Sequence, residues 1–180
     1  IKNIIAENNL TFKGELKIVD TEDVISMHDD PTTLLKAHSE SSMAVAFKEL
    51  NEGRADAFVS AGSTGAIVVG GTLIIKRIKG IKRPALAGLI PSPNGHYMLM
   101  DMGANAECRP EMLCQFGIMA SAYLKGVEGK ENPTIGLLNI GTEDSKGGEL
   151  QKESYKLLSE APINFVGNVE SREMPKGVCD

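Results

Sequence analysis

The chain has 180 residues, 42% of them hydrophobic and 24% charged, the proportions of a globular protein long enough to bury a stable core. Aromatic residues make up only 4% and Trp is absent, so the core must be aliphatic, and the stacking platforms used on single-stranded nucleic acids are scarce. A net charge of −5 with a pI near 5.3 also argues against phosphate-backbone binding, so no nucleic-acid partner is expected.

Leu16 to Val19 reads as a strand, followed by a polar loop through Asp30. Pro31 stands where a helix can start, because its missing N–H costs nothing in the first turn. Leu34, Leu35, Met43, Ala46, Phe47 and Leu50 then recur at roughly helical spacing, and Gly53 closes that helix. Asp56 to Ser60 predicts a short strand running into Ser60-Ala61-Gly62-Ser63-Thr64-Gly65, and a second helix follows from about Thr64 to Arg77. Pro84 to Ile90 and His96 to Asp101 read as two strands, and the Pro and Gly between them suggest a hairpin-like turn. Pro110 opens another helix, with Met112, Leu113, Phe116, Met119, Ala120 and Tyr123 on one face. Thr134 to Ile140 predicts a strand, Gly141 to Gly147 a loop, Gly148 to Leu158 a helix and Ile163 to Val166 a last strand.

That alternation predicts an α/β fold, a mainly parallel sheet with helices on both faces, in a single domain over residues 1–180. The chain starts at Ile1, and Val178-Cys179-Asp180 reads as the start of a strand. Both ends are therefore expected to be cut from a longer chain. Ligands of such sheets sit outside the carboxyl ends of the strands. The rule shortlists four loops: Ser60 to Gly65, Asp101 to Arg109, Asn139 to Gly147 and Gly167 to Glu170.

In the first loop, glycines allow close backbone approach to an anion, and the first helical turn points N–H groups at it. Ser63 and Thr64 either add donors or cap the helix. In the second, Asp101, Gly103 and Asn105 either position a phosphate or carbonyl or close a local turn. Arg109 before the Pro110 helix is either an anion clamp or a solvated cation. In the third, Lys146 could neutralise a phosphate, with Glu143 or Asp144 orienting it. The alternative is a capping loop with solvated charges.

Cys108, Cys114 and Cys179 lack metal-type spacing and read as reduced, mostly buried thiols of a cytoplasmic protein. No signal peptide and no membrane-spanning run is recognisable. His28, His38 and His96 are far apart, and no metal site is expected. Lys76, Arg77, Lys79, Lys82 and Arg83 form a basic run that is either a solvated face or a greeting for an acidic protein partner.

Taken together and in order, these segments resemble the PlsX family of phosphate acyltransferases. The residues that carry the resemblance include Ser41-Ser42-Met43, Ala55-Asp56-Ala57, the Ser60 to Gly65 loop and Arg83-Pro84-Ala85. They continue through Asp101-Met102-Gly103-Ala104-Asn105, Gln115-Phe116, Leu137 to Glu143, Lys146-Gly147 and Phe165 to Glu170. The resemblance implies transfer of a fatty acyl group from acyl carrier protein to inorganic phosphate, without a cofactor. The acyl phosphate would feed a membrane glycerol-3-phosphate acyltransferase in phospholipid synthesis.

It also implies a fold like that of isocitrate and isopropylmalate dehydrogenases, a homodimer, and a cytoplasmic location with peripheral membrane association. The family's first strand and C-terminal portion would lie outside these residues. Departures are Ser63 where the family usually has Asn, and His38 and Ser39 where it usually has a Lys pair, leaving Lys36 as the cation there. Gly148 and Ser171 also stand where Asn and Gly are frequent.

The reaction needs little covalent help, since phosphate is a nucleophile and a thioester a good electrophile. What it needs is an anion seat and donors for the oxyanion. Asn105 and Lys146 are the catalytic candidates. Ser60, Gly62, Ser63, Thr64, Gly65, Asp101, Asn139, Gly141, Thr142, Glu143 and Glu170 are the candidates for binding substrate and phosphate. The rival readings are a phosphate acetyl- or butyryltransferase that uses acyl-coenzyme A and a non-catalytic anion-binding module.

Overall fold

A computed structural model describes residues 1–180. Ser41 divides the long helix expected after Pro31. Pro31–Leu35 forms a 3₁₀ turn, and the chain then leaves helical geometry at Lys36 (φ −121°, ψ −90°). Ser41 adopts an extended conformation and its hydroxyl accepts from the Ala44 N–H at 3.4 Å, so it caps α2, Ser42–Asn51. Gly53 closes α2 at φ +71°, a conformation that glycine adopts without Cβ strain. An earlier short helix, α1 (Lys2–Glu7), buries no residue. The helix α3 covers Thr64–Gly70 and widens into a π turn at Gly71–Ile75, so the helical stretch expected to reach Arg77 stops two residues sooner.

Four strands form. β1 (Ala87–Ser92) and β2 (Gly95–Met100) make an antiparallel hairpin, with Ser92 opposite Gly95 across the Pro93-Asn94 turn. β3 (Thr134–Asn139) and β4 (Asn164–Glu170) pair in parallel, with a register shift between Ile135 and Gly136. Two helices complete this half: α4 (Pro110–Gly126), with Pro110 in its first turn, and α5 (Glu149–Glu160), the crossover between β3 and β4.

The architecture is mixed α/β, but the single, mainly parallel sheet is not observed. The two pairs are separate sheets. The expected strands at 16–19 and 56–60 do not form, and neither segment joins a ladder; in the N-terminal stretch the pairing is reduced to a lone Asp23–Ser41 bridge. Helix cover is also one-sided, because α4 and α5 pack against each other as well as against β3. No helix is long and apolar enough to cross a membrane.

Two cores hold the chain. In the first, Ile25, Leu34, Met43, Ala44, Phe47 and Ala66 pack together, and the Phe47 and Phe58 rings lie 4.6 Å apart in a tilted pair. In the second, Met112, Phe116, Ala120 and Leu124 recur every four residues along α4 and are all buried. Ala120 and Leu124 meet Ile135, and Met98, Met100 and Ile163 pack around them. Gly117 lets α4 approach closely, since a Cβ there would lie 2.8 Å from Leu158 Cδ2.

The α2–α3 contact depends on a similar economy. A Cβ at Gly70 would overlap the Phe47 ring, whereas one at Gly71 would meet open space. Gly71→Ala is expected to be neutral or to stabilise by about 0.5–1 kcal/mol through the unfolded chain. Gly70→Ala gains the same term but must displace a buried ring, so a net loss of about 1–3 kcal/mol is expected. Urea denaturation of the two variants tests the packing, and equal midpoints would contradict it.

Candidate functional site

The free edges of β2 and β3 face each other across a cleft of about 270 Å³. Its walls are apolar, with Tyr97, Met98 and Met100 on one side, Ile135 and Leu137 on the other, and Phe116 and Leu124 among the α4 residues that line it. One residue spans the gap. The Asp180 carbonyl accepts from the Met98 N–H at 2.7 Å, while the Asp180 N–H donates to the Thr134 carbonyl at 3.1 Å. Its carboxylate takes the Thr134 N–H and hydroxyl and pairs with Lys130 Nζ at 2.6 Å. The lining also includes Asp101, Asn105, Leu138 and Gln151, so the residues that end β2 and β3 share this cleft.

Asp101 follows β2 directly. Its carboxylate accepts from the Leu86 N–H at 2.7 Å, the Ala104 N–H at 3.2 Å, and both the N–H and the side-chain Nδ2 of Asn105 at 2.9 Å. Burial alone would raise this carboxyl, but these hydrogen bonds outweigh it and hold it below the ordinary carboxylate range. Asn105 Nδ2 also donates to the Pro84 carbonyl at 2.9 Å. The Asn105 donors therefore point inward. The Gly103 N–H has no acceptor within the chain.

The loop after β3 is built on Asn139. Its Oδ1 accepts from the Ile140 N–H at 2.8 Å, and its Nδ2 donates to the Lys146 carbonyl at 3.1 Å. Gly147 turns the chain into α5 at φ +84°, with no room for a Cβ beside Gln151 and Asn139. Gly148 is the N-cap of α5, and its N–H donates to Gln151 Oε1 at 3.0 Å. The N–H groups of Gly141, Thr142, Glu143, Asp144 and Ser145 find no acceptor within the chain. Lys146 Nζ stands beside them, 3.8 Å from Glu143 Oε1 and about half exposed.

Register brings Glu170 opposite Asn139, where its carboxylate pairs with Arg172 at 2.7 Å. Asn168 lies just inside and is only 7% exposed. Its Nδ2 donates to the Glu143 carbonyl at 2.7 Å, while its Oδ1 has no partner. Asn168 falls within the shortlisted Gly167 to Glu170 loop but is not among the candidate binding residues, although an amide inside the apolar run Phe165 to Val169 is a readable signal. Asn139, Gly141, Thr142, Glu143, Lys146 and Glu170 thus gather at the carboxyl ends of β3 and β4. Asp101 and Asn105 line the cleft, which reaches the β3 end at Leu138 and α5 at Gln151 but is not lined by these six residues.

Ser60 to Gly65 is organised around packing. Ser63 is buried and its hydroxyl accepts from the Ala66 N–H at 3.3 Å, capping α3. Ser60 Oγ accepts from the Gly62 N–H at 3.0 Å. A Cβ at Gly65 would lie 2.6 Å from Pro31 Cγ, and one at Gly62 would lie 3.0 Å from Met43 Cε. The Thr64 hydroxyl is exposed. The contacts of α3 run to α2, the 3₁₀ turn and the π turn, away from the cleft.

Among the departures from the resembled pattern, His38 Nδ1 lies 3.1 Å from the Asp23 carboxylate. His96 Nε2 lies 3.0 Å from Glu128. Burial pushes all three cysteine thiols up, in Cys179 despite a hydrogen bond from the Gly136 N–H, so none is poised as a thiolate.

Residues 1–180 match the family described as "Fatty acid synthesis protein". A phosphate acyltransferase of Caldicellulosiruptor bescii is 50% identical across 99% of this chain and 56% of its own length. Those of Caldicellulosiruptor saccharolyticus and Bacillus licheniformis are 52% and 47% identical, and each is covered over 52% of its length. The chain spans about half the length of the curated relatives it matches. Among solved structures, a EutD phosphotransacetylase from Staphylococcus aureus superposes with a TM-score of 0.65 at 16% identity, over 99% of this chain and 63% of that one. At that identity the likeness is one of fold.

Asp101 gives the site a pH signature. Its carboxyl is lower in the folded chain than in the unfolded one, so its contribution is complete above the ordinary carboxylate range and is lost as pH falls through the folded value. Asp101→Asn is expected to lower stability at neutral pH and to flatten the loss between neutrality and about pH 3. Denaturant midpoints across that range measure it. Parallel acid losses in both proteins would show that Asp101 does not carry the effect.

Proposed function

Because the chain belongs to the fatty acid synthesis protein family, we propose that it forms the phosphate-binding core of an acyltransferase whose donor is a fatty acyl thioester on acyl carrier protein. The observation that supports this most is the run of free N–H groups from Gly141 to Ser145, beside the Lys146 side chain. Successive unpaired backbone N–H groups form a concavity that suits a phosphate, and Lys146 adds a full positive charge. The N-terminus of α5 follows directly and contributes its partial positive charge.

The chemistry is a direct displacement. A phosphate oxygen attacks the thioester carbonyl and the C=O pair moves onto oxygen. The tetrahedral intermediate collapses with cleavage of the C–S bond, giving acyl phosphate and a thiol that takes the proton from hydrogen phosphate. The seat must hold the dianion without protonating it and keep it near the carbonyl. The Gly103 N–H is the free donor of the Asp101 turn and suits the developing oxyanion. Asn105 then acts by positioning that turn with Asp101, since its own donors are engaged.

Thr142, Glu143 and Asn139 shape the seat, and Glu170, paired with Arg172, stands opposite Asn139 at its edge. Ser60, Gly62, Ser63, Thr64 and Gly65 remain part of the proposal as phosphate-binding residues, since the Ala61, Ser63, Thr64 and Gly65 N–H groups have no acceptor within the chain while the Ser63 hydroxyl caps α3. Residues 1–180 are taken as one α/β unit within a longer protein. Further parts of the proposal are a homodimer, peripheral membrane association and a membrane acyltransferase that consumes acyl phosphate. A second reading, a short acyl group taken from acyl-coenzyme A, draws on the fold shared with the EutD phosphotransacetylase.

The two readings separate by donor. The full-length protein mixed with phosphate and either acyl carrier protein loaded with a fatty acyl group or acetyl-coenzyme A should make acyl phosphate from the former. Efficient turnover of acetyl-coenzyme A alone would select the second reading. Lys146→Ala should raise the KM for phosphate about tenfold, near 1.4 kcal/mol, while the folded spectrum is unchanged. An unaltered phosphate KM would make Lys146 a solvated charge.

Direct attack also has a covalent test. Replacing Cys108, Cys114 and Cys179 by Ala one at a time should leave turnover within about an order of magnitude. Acyl label trapped on one of these thiols, with activity lost in the folded variant, would establish an acyl-enzyme instead.

A further inference from the structure

The basic run singled out in the sequence has no part in the site just described. No Asp or Glu occurs between Asp56 and Asp101, and within that stretch Lys76, Arg77, Lys79, Lys82 and Arg83 are concentrated in eight positions of a chain whose net charge is −5. All five are exposed. Only Lys82 meets a carboxylate, with Nζ 2.6 Å from Glu111, and the Arg77 guanidinium turns back onto the Lys82 carbonyl. Lys76, Lys79 and Arg83 are unpaired. Ile78 stands among them with 72% of its surface exposed.

This turn is held in place. The Ile81 N–H donates to the Ile78 carbonyl at 3.0 Å. From α4, Gln115 grips both sides: its Nε2 donates to the Gly80 carbonyl at 3.0 Å and its Oε1 accepts from the Lys82 N–H at 2.8 Å. Immediately downstream, the Pro84 carbonyl receives Asn105 Nδ2 and the Leu86 N–H reaches Asp101. A rigid path of hydrogen bonds therefore connects the basic turn to the Asp101 turn at the cleft.

We propose that the Lys76–Arg83 turn docks an acidic carrier protein, with Ile78 as the apolar contact and the surrounding cations as the steering charge. This rests on the acyl-transfer reading above and names how the donor is recognised. An acidic partner is repelled by the rest of an acidic chain and attracted here, so charge alone selects its orientation. The attachment to Asp101 places the docked carrier next to the cleft. A membrane surface is disfavoured because an interfacial element presents a continuous apolar face, whereas within this pinned turn Ile78 is set among five cations. The exposed Leu73 and Ile75 belong to the preceding π turn.

The test uses the full-length protein with Lys76→Glu and Lys79→Glu combined and, separately, Ile78→Ser. Kinetics are measured with an acyl carrier protein loaded with a fatty acyl group and with the same acyl group on free pantetheine. The charge reversal should raise the KM for the carrier about tenfold and leave that for acyl-pantetheine unchanged. Added salt should raise the wild-type carrier KM toward the variant's. Ile78→Ser should weaken the carrier in the same selective way.

An unchanged carrier KM, or an equal loss with both donors, overturns the proposal. So does wild-type binding to phosphatidylglycerol vesicles that the charge reversal abolishes while carrier binding persists. If the wild type makes acyl phosphate from neither donor, the acyl-transfer reading fails. Calorimetric titration of wild type and variants with the carrier protein then decides the docking surface by itself.

Discussion

The Asp101 carboxylate is the point on which three chain segments converge. It receives N–H groups from Leu86, from Ala104 and Asn105, and from the Asn105 side chain, and it sits at the end of β2. Donors of this number would be costly to bury without an acceptor, and a carboxylate satisfies them with two oxygens. Because Asn105 also holds Pro84, the segment leading out of the basic turn and the turn at the cleft are fixed by one group. Its depressed protonation follows from the same geometry.

The second organising contact is Asp180. Sheet edges demand partners for their N–H and C=O groups. Between β2 and β3, Asp180 bonds Met98 on one side and Thr134 on the other. The apolar walls of the rest of the cleft come from strand faces and from α4. Residues from β2 and β3, far apart in sequence, thus border a common cavity.

The legible part of the fold was the local part. Pro110 and the apolar Met112, Phe116 and Ala120 of α4, the Pro-rich hairpin turn and the apolar run of β3 each carry their own signal, and each element formed. Tyr123 of the expected α4 face is nevertheless exposed, Leu124 is buried in its place, and the first hairpin strand is shifted to Ala87–Ser92. What failed was inference from local runs to long-range pairing. Asp56 to Ser60 has strand-forming residues, yet Val59 is 93% exposed because no neighbouring edge receives it. Ser41 was overlooked as a helix breaker because the apolar spacing on either side looked continuous. Its capping hydroxyl and extended backbone override that spacing.

The candidate site shows the same boundary in its two glycine-rich loops, whose glycines are fixed by different neighbours. In the Ser60 to Gly65 loop, Gly65 meets Pro31 and Gly62 meets Met43, while Ser63 spends its hydroxyl on Ala66. Those glycines are required by neighbours that only folding brings close. In the Asn139 to Gly147 loop, Asn139 and Asn168 brace the two ends of the turn through the Lys146 and Glu143 carbonyls. The N–H groups between them are left without internal acceptors. An anion site needs donors that the protein holds rigid but does not consume. In the Ser60 to Gly65 loop the Ala61, Ser63, Thr64 and Gly65 N–H groups are likewise without internal acceptors, so both loops keep donors for an anion, and what folding adds is the neighbours that fix each glycine.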